Sequence, residues 1–387
     1  MAGQLSPLAR KSIEPMALRV QGSSIRGLQR FITEVSWDED HMRWLYHQLV
    51  AEAMGDAAGV VRFDETGFVK KGQESVGVAR QYCGTLGKVE HCQVGVFAGY
   101  ASRHGYTLVD QRLFLPEVWL TDAYAARRLT CQVPPELTLQ SKPQLAAAML
   151  QAIVRDGLLP FTYVVADCLY GNSPTFLDAV DACVGVTTLL AIPAETRCWL
   201  QRPQTVDKQY TYKGEKRVKR VVVPTHALTS VAAVAASLPA SSWYQRTVAE
   251  GTKGPLTYAF ARQRVTLCKE DVPDRTVWLV IKRTLGPEPT YTYSISNAPA
   301  STPLRTFVWL SGVRWAIEQG FEESKTELGM AHYEVRKYPG WHHHMLTTML
   351  AHFFLWSVKL RLGKKSPGVD GVASAAAFRS GLALAAV

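Results

Sequence analysis

The sequence predicts an α/β fold, a mixed sheet flanked by helices, with an inserted β-rich domain and a short helical N-terminal region. Three observations predict it. Two short β-branched runs, one ending on Asp64 (VVRFD) and one on Asp167 (YVVAD), read as buried strands that each finish on an acid. A long helical pattern further on, VRWAIEQGFEESK, carries a third acid, Glu318. Between the second and third acids, residues 194–300 become β-prone and basic, which marks an insertion.

Each element follows from local pattern. Residues 1–57 read as helical, with Arg10, Lys11, Arg19, Arg26 and Arg30 against Glu14 in the first 30 residues. This region is a candidate for DNA contact and also for truncation, because only 63 residues precede Asp64. Within Trp37–Met54 the spacing of Trp44, Leu45 and Leu49 is helical. Gly59–Asp64 is expected as a strand, followed by a turn-rich loop, GFVKKGQESVG. Cys92–Tyr100 and Tyr106–Leu113 are separated by the turn signal ASRHG and predict an antiparallel meander. Pro143–Arg155 is a helix with proline near its start. The strand Tyr163–Asp167, the helix Pro174–Cys183 and the strand Val186–Ile192 complete a first core segment, 58–193.

The insertion, 194–300, has β-prone pieces around Tyr210–Tyr212, Val218–Val223, Leu256–Leu267, Thr276–Ile281 and Thr290–Ser296. An alanine-rich helix, Leu228–Leu238, interrupts them. The core resumes over 301–363 with a helix from Pro303 to Leu328, stopped by Gly329, and a last helix over Trp341–Leu362. The segment beginning GKKSPGVDG is linker-like, so 364–387 is expected as a mobile tail.

The net charge of +10 is concentrated in the insertion, where 16 Lys/Arg face 8 Asp/Glu. A basic region beside an acidic centre suits a polyanionic substrate, although lysine-rich surfaces also occur merely to stay solvated. The seven cysteines show no CxxC pair and no zinc-ligand spacing, which points to buried thiols in a reducing cytosol. Cys168, next to Asp167, reads as packing. The N-terminus has no signal-peptide pattern. The apolar stretch Met345–Leu362 is broken by His352, Lys359 and Arg361, so it reads as a buried helix and no membrane association is expected.

The three acids carry the chemistry. Carboxylates at strand ends plus one on a helix can hold a pair of hard divalent cations, which drive in-line displacement at phosphorus. Aspartates also cap turns, so Asp64 and Asp167 gain meaning from their order with Glu318. Arg314 and Lys325 lie four residues before and seven after Glu318 and share its helix face. They are candidates for phosphate contact, or for ordinary helix pairing. Glu65 and Asp178 are alternative carboxylates, but strand alternation should turn Glu65 away from Asp64. Glu322, one turn beyond Glu318, is a further alternative.

Lys70 and Lys71, in a glycine-flanked loop, are candidates for DNA backbone contact. So are Lys216, Arg217, Lys219 and Arg220, in a run interleaved with Tyr210 and Tyr212. Lysines guarding an edge strand would look the same. His342, His343 and His344 diverge around a helix and cannot share one ion, which leaves structural or DNA-facing roles. Trp309, Trp315 and Trp356 read as core between the late helices, with Trp315 also a candidate to stack on a base.

The order strand with Asp, meander, helix, strand with Asp, insertion, helix with Glu is that of an RNase H-like fold. The chain resembles bacterial insertion-sequence transposases of the DDE superfamily, in the branch with a β-rich insertion before the catalytic Glu. The resemblance covers nearly the whole length. It rests most specifically on DETGFVKKG, GVARQYCGTLGKVEHCQVGVF, ADCLYG and RWAIEQGFEESKTELG. Arg314, Glu318 and Lys325 match the family's R-x3-E-x6-K signature, and Ser311 stands where relatives with the longer signature have tyrosine. The resemblance implies Asp64, Asp167 and Glu318 as catalytic acids holding two Mg²⁺ ions, with Mn²⁺ as a substitute. It implies double-stranded DNA as partner, both element ends and target, joined through 3′-hydroxyls by a homo-oligomer in the bacterial cytoplasm, near the nucleoid. A nuclease without strand transfer, or a non-catalytic DNA-binding relative that regulates transposition, are the competing readings.

Overall fold

The computed structural model describes residues 1–251 and 254–363; the expected mobile tail, 364–387, lies outside the described residues. In chain order the elements begin with helices α1 (Ala2–Leu5), α2 (Ile13–Arg19), α3 (Ile25–Thr33) and α4 (Glu39–Met54). Strands β1 (Val60–Val69), β2 (Ala79–Cys83), β3 (Lys88–Ser102) and β4 (Gly105–Phe114) come next, then α5 (Ala125–Thr130) and α6 (Lys142–Asp156). Strand β5 (Tyr163–Ala166) leads into α7 (Cys168–Gly171), α8 (Pro174–Asp181) and β6 (Thr187–Ile192). The β-rich stretch comprises β7 (Arg197–Trp199), β8 (Thr205–Tyr212), β9 (Glu215–Val222), β10 (Thr229–Ser230), α9 (Val231–Ser237), β11 (Tyr244–Gly251), β12 (Gly254–Lys269), β13 (Val272–Arg283) and β14 (Tyr291–Ser296). Helices α10 (Leu304–Thr326) and α11 (Tyr338–Gly363) close the described chain. The expected class holds: a large mixed sheet flanked by helices, consistent with an RNase H-like fold.

The chain divides into two compact units. The first takes Met1–Tyr163, Asp178–Val184 and the chain from Val313 onward; the second takes Val164–Leu177 and Gly185–Gly312. In the first unit β3 carries β1 antiparallel along one edge, from Val60↔Ala101 to Val69↔Cys92. Its other edge carries β2 and then β4, and the β3–β4 pair is the expected meander. Helices α4 and α11 pack on β4, and α6 packs on β3. Both faces of the sheet are therefore covered, which is why β3 is buried from Cys92 to Ala101 instead of alternating. Helix α6 starts on a capping box between Ser141 and Gln144 and ends on Gly157, whose φ of 64° favours a residue without a Cβ. Phe97 meets Phe321 of α10 edge to face, with centroids 5.3 Å apart.

One difference from the sequence reading bears directly on function. Strand β1 does not stop at Asp64 but runs on to Val69, so the acid lies in mid-strand. The GFV that reads as the start of a loop is strand. Gly67 is there for close approach, since a Cβ on it would lie 2.6 Å from the Cys83 sulfur. The paired strand β2 lies in what reads as undifferentiated sequence.

In the second unit the strand order is β10-β7-β12-β13-β14-β6-β5, with β11 paired to β12. Strands β8 and β9 pair only with each other, as an exposed hairpin turning at Lys213 (φ 48°) and Gly214 (φ 82°). Two positive φ values in a two-residue turn match the twist of a hairpin.

The three consecutive histidines are buried and structural. His342 Nδ1 meets the Gln111 amide at 3.0 Å, His343 stacks on Trp37 at 4.1 Å, and His344 lies 5.0 Å from the Tyr333 ring. Burial pushes His342 down to about 3, so it is neutral. Of Trp309, Trp315 and Trp356, the last is core, whereas Trp309 and Trp315 are 41% and 40% exposed. Cys168 is exposed as well, not packed. No described helix is long and apolar enough to cross a membrane.

Candidate metal centre

Alternation along β1 puts Arg62, Asp64 and Thr66 on one face. Asp64 is held from two sides: its Oδ1 accepts the Glu65 backbone N–H at 2.9 Å, and its Oδ2 accepts from Arg62 Nη2 at 2.6 Å. The Asp64 side chain is 18% exposed and that of Arg62 only 1%. Burial works against the Arg62 charge, while Asp64 and then Glu318 favour it. Glu65 is claimed by Lys142 of α6 at 2.9 Å, a charge-compensated pair.

Helix α10 delivers the other charged groups of this unit. Its inner face carries Ile317, buried against β3, and Glu323, which is buried and satisfied by three donors. These are Tyr106 Oη at 2.9 Å, Gln319 Nε2 at 3.2 Å and His352 Nε2 at 3.1 Å. The outer face carries Glu318, half exposed, whose Oε1 lies 3.0 Å from Arg314 Nε and 3.5 Å from Arg62 Nη2. Arg62 also donates to the backbone carbonyl of Arg314. One buried guanidinium thus joins Asp64 on a strand to Glu318 on a helix.

The approach is close because Gly99, the β3 partner of Arg62, has no side chain. A Cβ there would stand 1.8 Å from Ile317 Cδ1. Lys325 reaches back to β1: its Nζ donates to Thr66 Oγ1 at 2.6 Å and to Thr85 Oγ1 at 3.1 Å, and burial lowers its pKa. Glu322, the alternative acid, is exposed.

Asp167 directly follows β5, where the chain breaks into α7. It is the N-cap of that helix, its Oδ1 accepting the Leu169 N–H at 2.9 Å. Capping and metal binding use different oxygens of one carboxylate and are compatible. Asp64 and Glu65 of the first unit each offer a carboxylate oxygen to a metal ion, and Asp167 of the second unit offers another. Three hard oxygen donors fit a divalent cation of the Mg²⁺ type, which keeps water and substrate phosphate as its remaining ligands. Glu65, which alternation was expected to turn away from Asp64, has a carboxylate oxygen within 4.8 Å of one of Asp64's.

The basic candidates differ among themselves. Lys70 lies 3.5 Å over the Tyr333 ring and donates to the Tyr333 carbonyl at 3.2 Å; burial pushes it down to about 8. Lys71 is exposed. On the hairpin, Lys216, Arg217, Lys219 and Arg220 are all exposed. Arg217 pairs with Glu215 at 3.0 Å and lies 5.0 Å over the Tyr212 ring. Arg220 pairs with Asp207 at 3.3 Å. Lys219 stands directly across from Lys208, an opposition of like charges that disfavours the bare hairpin. The residue that sequence reasoning missed is Arg62. An arginine inside an apolar strand was the available signal, since a charge in such a place needs a partner.

The chain is 26% identical, over 338 residues, to a probable transposase for insertion sequence element IS701 from Microchaete diplosiphon; the match covers 87% of this chain and 76% of that protein. The family described as DDE superfamily endonuclease matches residues 1–255, a stretch that includes Asp64 and Asp167. This family implies dependence on a divalent metal. The chain belongs to the DDE superfamily of endonucleases.

Proposed function

We propose that the protein is the transposase of an insertion sequence. It cuts the ends of its element and joins the 3′-hydroxyls to target DNA, acting as a homo-oligomer on double-stranded DNA in the bacterial cytoplasm, at the nucleoid. Asp64, Asp167 and Glu318 hold two Mg²⁺ ions, for which Mn²⁺ can substitute. When bound, such a pair activates the attacking oxygen and stabilises the leaving one.

The observation that carries this reading is the convergence of Asp64 and Glu318 on the Arg62 guanidinium, at 2.6 and 3.5 Å. It joins the first and last acids of the series through elements far apart in sequence. Asp167 enters at the end of its own strand, already oriented by the Leu169 N–H. Arg314 and Lys325 flank Glu318 and position the phosphates beside the scissile bond. Lys70, Lys71 and the hairpin cations Lys216, Arg217, Lys219 and Arg220 grip the DNA backbone without reading sequence.

The test is a nicking and joining assay on duplexes that carry the element ends. Asp64→Asn, Asp167→Asn and Glu318→Gln should each lower cleavage at least about 100-fold while DNA affinity stays near normal. A variant that nicks near the wild-type rate removes its residue from the site. Wild-type protein that nicks but never yields joined products leaves a nuclease.

A further inference from the structure

Arg62 has no role in the proposed reaction, yet it is the most buried charge at the site. Its guanidinium touches Asp64, Glu318 and the Arg314 carbonyl, and among the described residues its Nε is without a hydrogen-bond partner. It cannot swing out to solvent. It is 1% exposed, and Ile317 is seated on Gly99, directly across β3 from it. The site therefore contains a fixed cation where Asp64 and Glu318 converge, and the half-exposed Arg314 adds a second on Glu318. Two carboxylates and two guanidinium groups make a neutral quartet before any metal arrives.

We propose that Arg62 is a positioning residue with a dual action: it assembles Asp64 and Glu318 in the metal-free protein, and it holds down their affinity for divalent metal until substrate phosphate is present. The inference rests on the proposed function, since it takes both acids to be metal ligands. The electrostatics follow directly. An opposite charge within about 4–6 Å stabilises a carboxylate's charged form by a factor of about 10 to 1000. A metal ion claiming the same oxygens must displace or share that stabilisation. Two divalent cations bring four positive charges to this neutral quartet, and Asp167, the third proposed acid, offsets only one of them, so excess positive charge remains in a partly buried site. The phosphates of bound DNA supply the missing negative charge, so metal loading and DNA binding favour one another. In the free protein the same guanidinium limits metal-driven cleavage of stray DNA.

The experiment titrates Mn²⁺ into DNA-free protein, following free Mn²⁺ by electron paramagnetic resonance, with melting curves on the same samples. Arg62→Gln should bind Mn²⁺ at least about ten-fold more tightly than wild type, although it melts lower without metal. Arg62→Lys, which keeps the charge, should stay within about three-fold of wild type. Weaker or unchanged Mn²⁺ binding in Arg62→Gln overturns the proposal, as does ten-fold tighter binding in Arg62→Lys. If Arg62→Gln is unfolded without metal, recovery of the wild-type circular dichroism spectrum on adding Mn²⁺ supports the proposal, and failure to recover overturns it. Asp64→Asn and Glu318→Gln separate the two readings. Unchanged Mn²⁺ binding in these variants defeats the metal-site reading itself, whereas weakened binding there with no gain in Arg62→Gln defeats only the role of Arg62.

Discussion

Arg62 and Lys325 are enclosed within the first unit, each bonded to named acceptors on β1 or α10, whereas Lys216, Arg217, Lys219 and Arg220 of β9 stand in solvent. The enclosed cations lose hydration and must be compensated by fixed partners, so they determine geometry. The exposed ones keep their hydration and are screened by salt, so on the proposed function they would set affinity and encounter. Charges of one sign thus do two separable jobs, and each can be disturbed without the other.

The largest expected effect comes from wedging the enclosed set apart. Gly99→Val puts atoms where Ile317 Cδ1 now stands, 1.8 Å from the nearest added carbon. Overpacking of this kind costs about 1–3 kcal/mol, and lifting α10 withdraws Glu318 from Arg62. Cleavage should fall by more than about ten-fold while affinity for DNA in a filter-binding assay stays unchanged. A parallel loss of affinity would mean that the two sets of charges are coupled.

Next in size are the two cations flanking Glu318. Arg314→Ala and Lys325→Ala should each reduce single-turnover nicking about ten-fold or more, because small misplacement near the reacting phosphate is costly. Their melting behaviour should differ. Arg314 is half exposed and its loss should hardly move the transition, whereas Lys325 anchors α10 to Thr66 and Thr85, and its loss should cost about 1 kcal/mol. Arg314→Lys should restore only part of the rate, since an ammonium lacks the parallel donors of a guanidinium.

A smaller effect tests the exposed set. Neutralising Lys216, Arg217, Lys219 and Arg220 together should weaken binding to all DNA sequences. It should flatten the log–log salt dependence by about 0.9 for each phosphate that is no longer neutralised. Nicking at saturating DNA should be unaltered. Arg217 and Arg220 already pair with Glu215 and Asp207, so Lys216 and Lys219 should account for more of the slope.

The smallest effect concerns an acid between these extremes. Burial, ahead of opposing attraction from Arg112, pushes Glu39 of α4 up to about 7 from its ordinary 4.5. A raised value in the folded protein gives stability that is full below pH 4.5 and is lost as pH rises through 7. Glu39→Gln should therefore raise the melting temperature by about 1–2 °C at pH 8 and leave it nearly unchanged at pH 5. Equal shifts at both values would place the carboxylate outside this account.

Much of this was legible in the sequence, for identifiable reasons. The runs before Asp64 and Asp167 are apolar enough to be strands, and the helical spacing around Glu318 is long enough to fix its face. The end of β1 was not legible. Gly67 and the lysines after it have the composition of a turn, and only the approach of Cys83 shows that the glycine serves packing. Nor was the fate of Trp309 and Trp315, because a tryptophan on a helix advertises burial whether or not a neighbour covers it. Arg62 escapes notice for the opposite reason. Inside a strand it reads as an exception, and its meaning depends on Glu318, a residue that no local pattern links to it.

Gly99 has a consequence at the level of the gene. Every single-base missense change in a glycine codon yields a residue with a Cβ, so each such change at this codon places a carbon where Ile317 now sits. A copy altered there would encode a protein with an intact basic hairpin and a displaced Glu318. On the proposed function, it would occupy the ends of its own element without cutting them. On that function, one missing methyl group would separate an element that moves from one that silences its siblings.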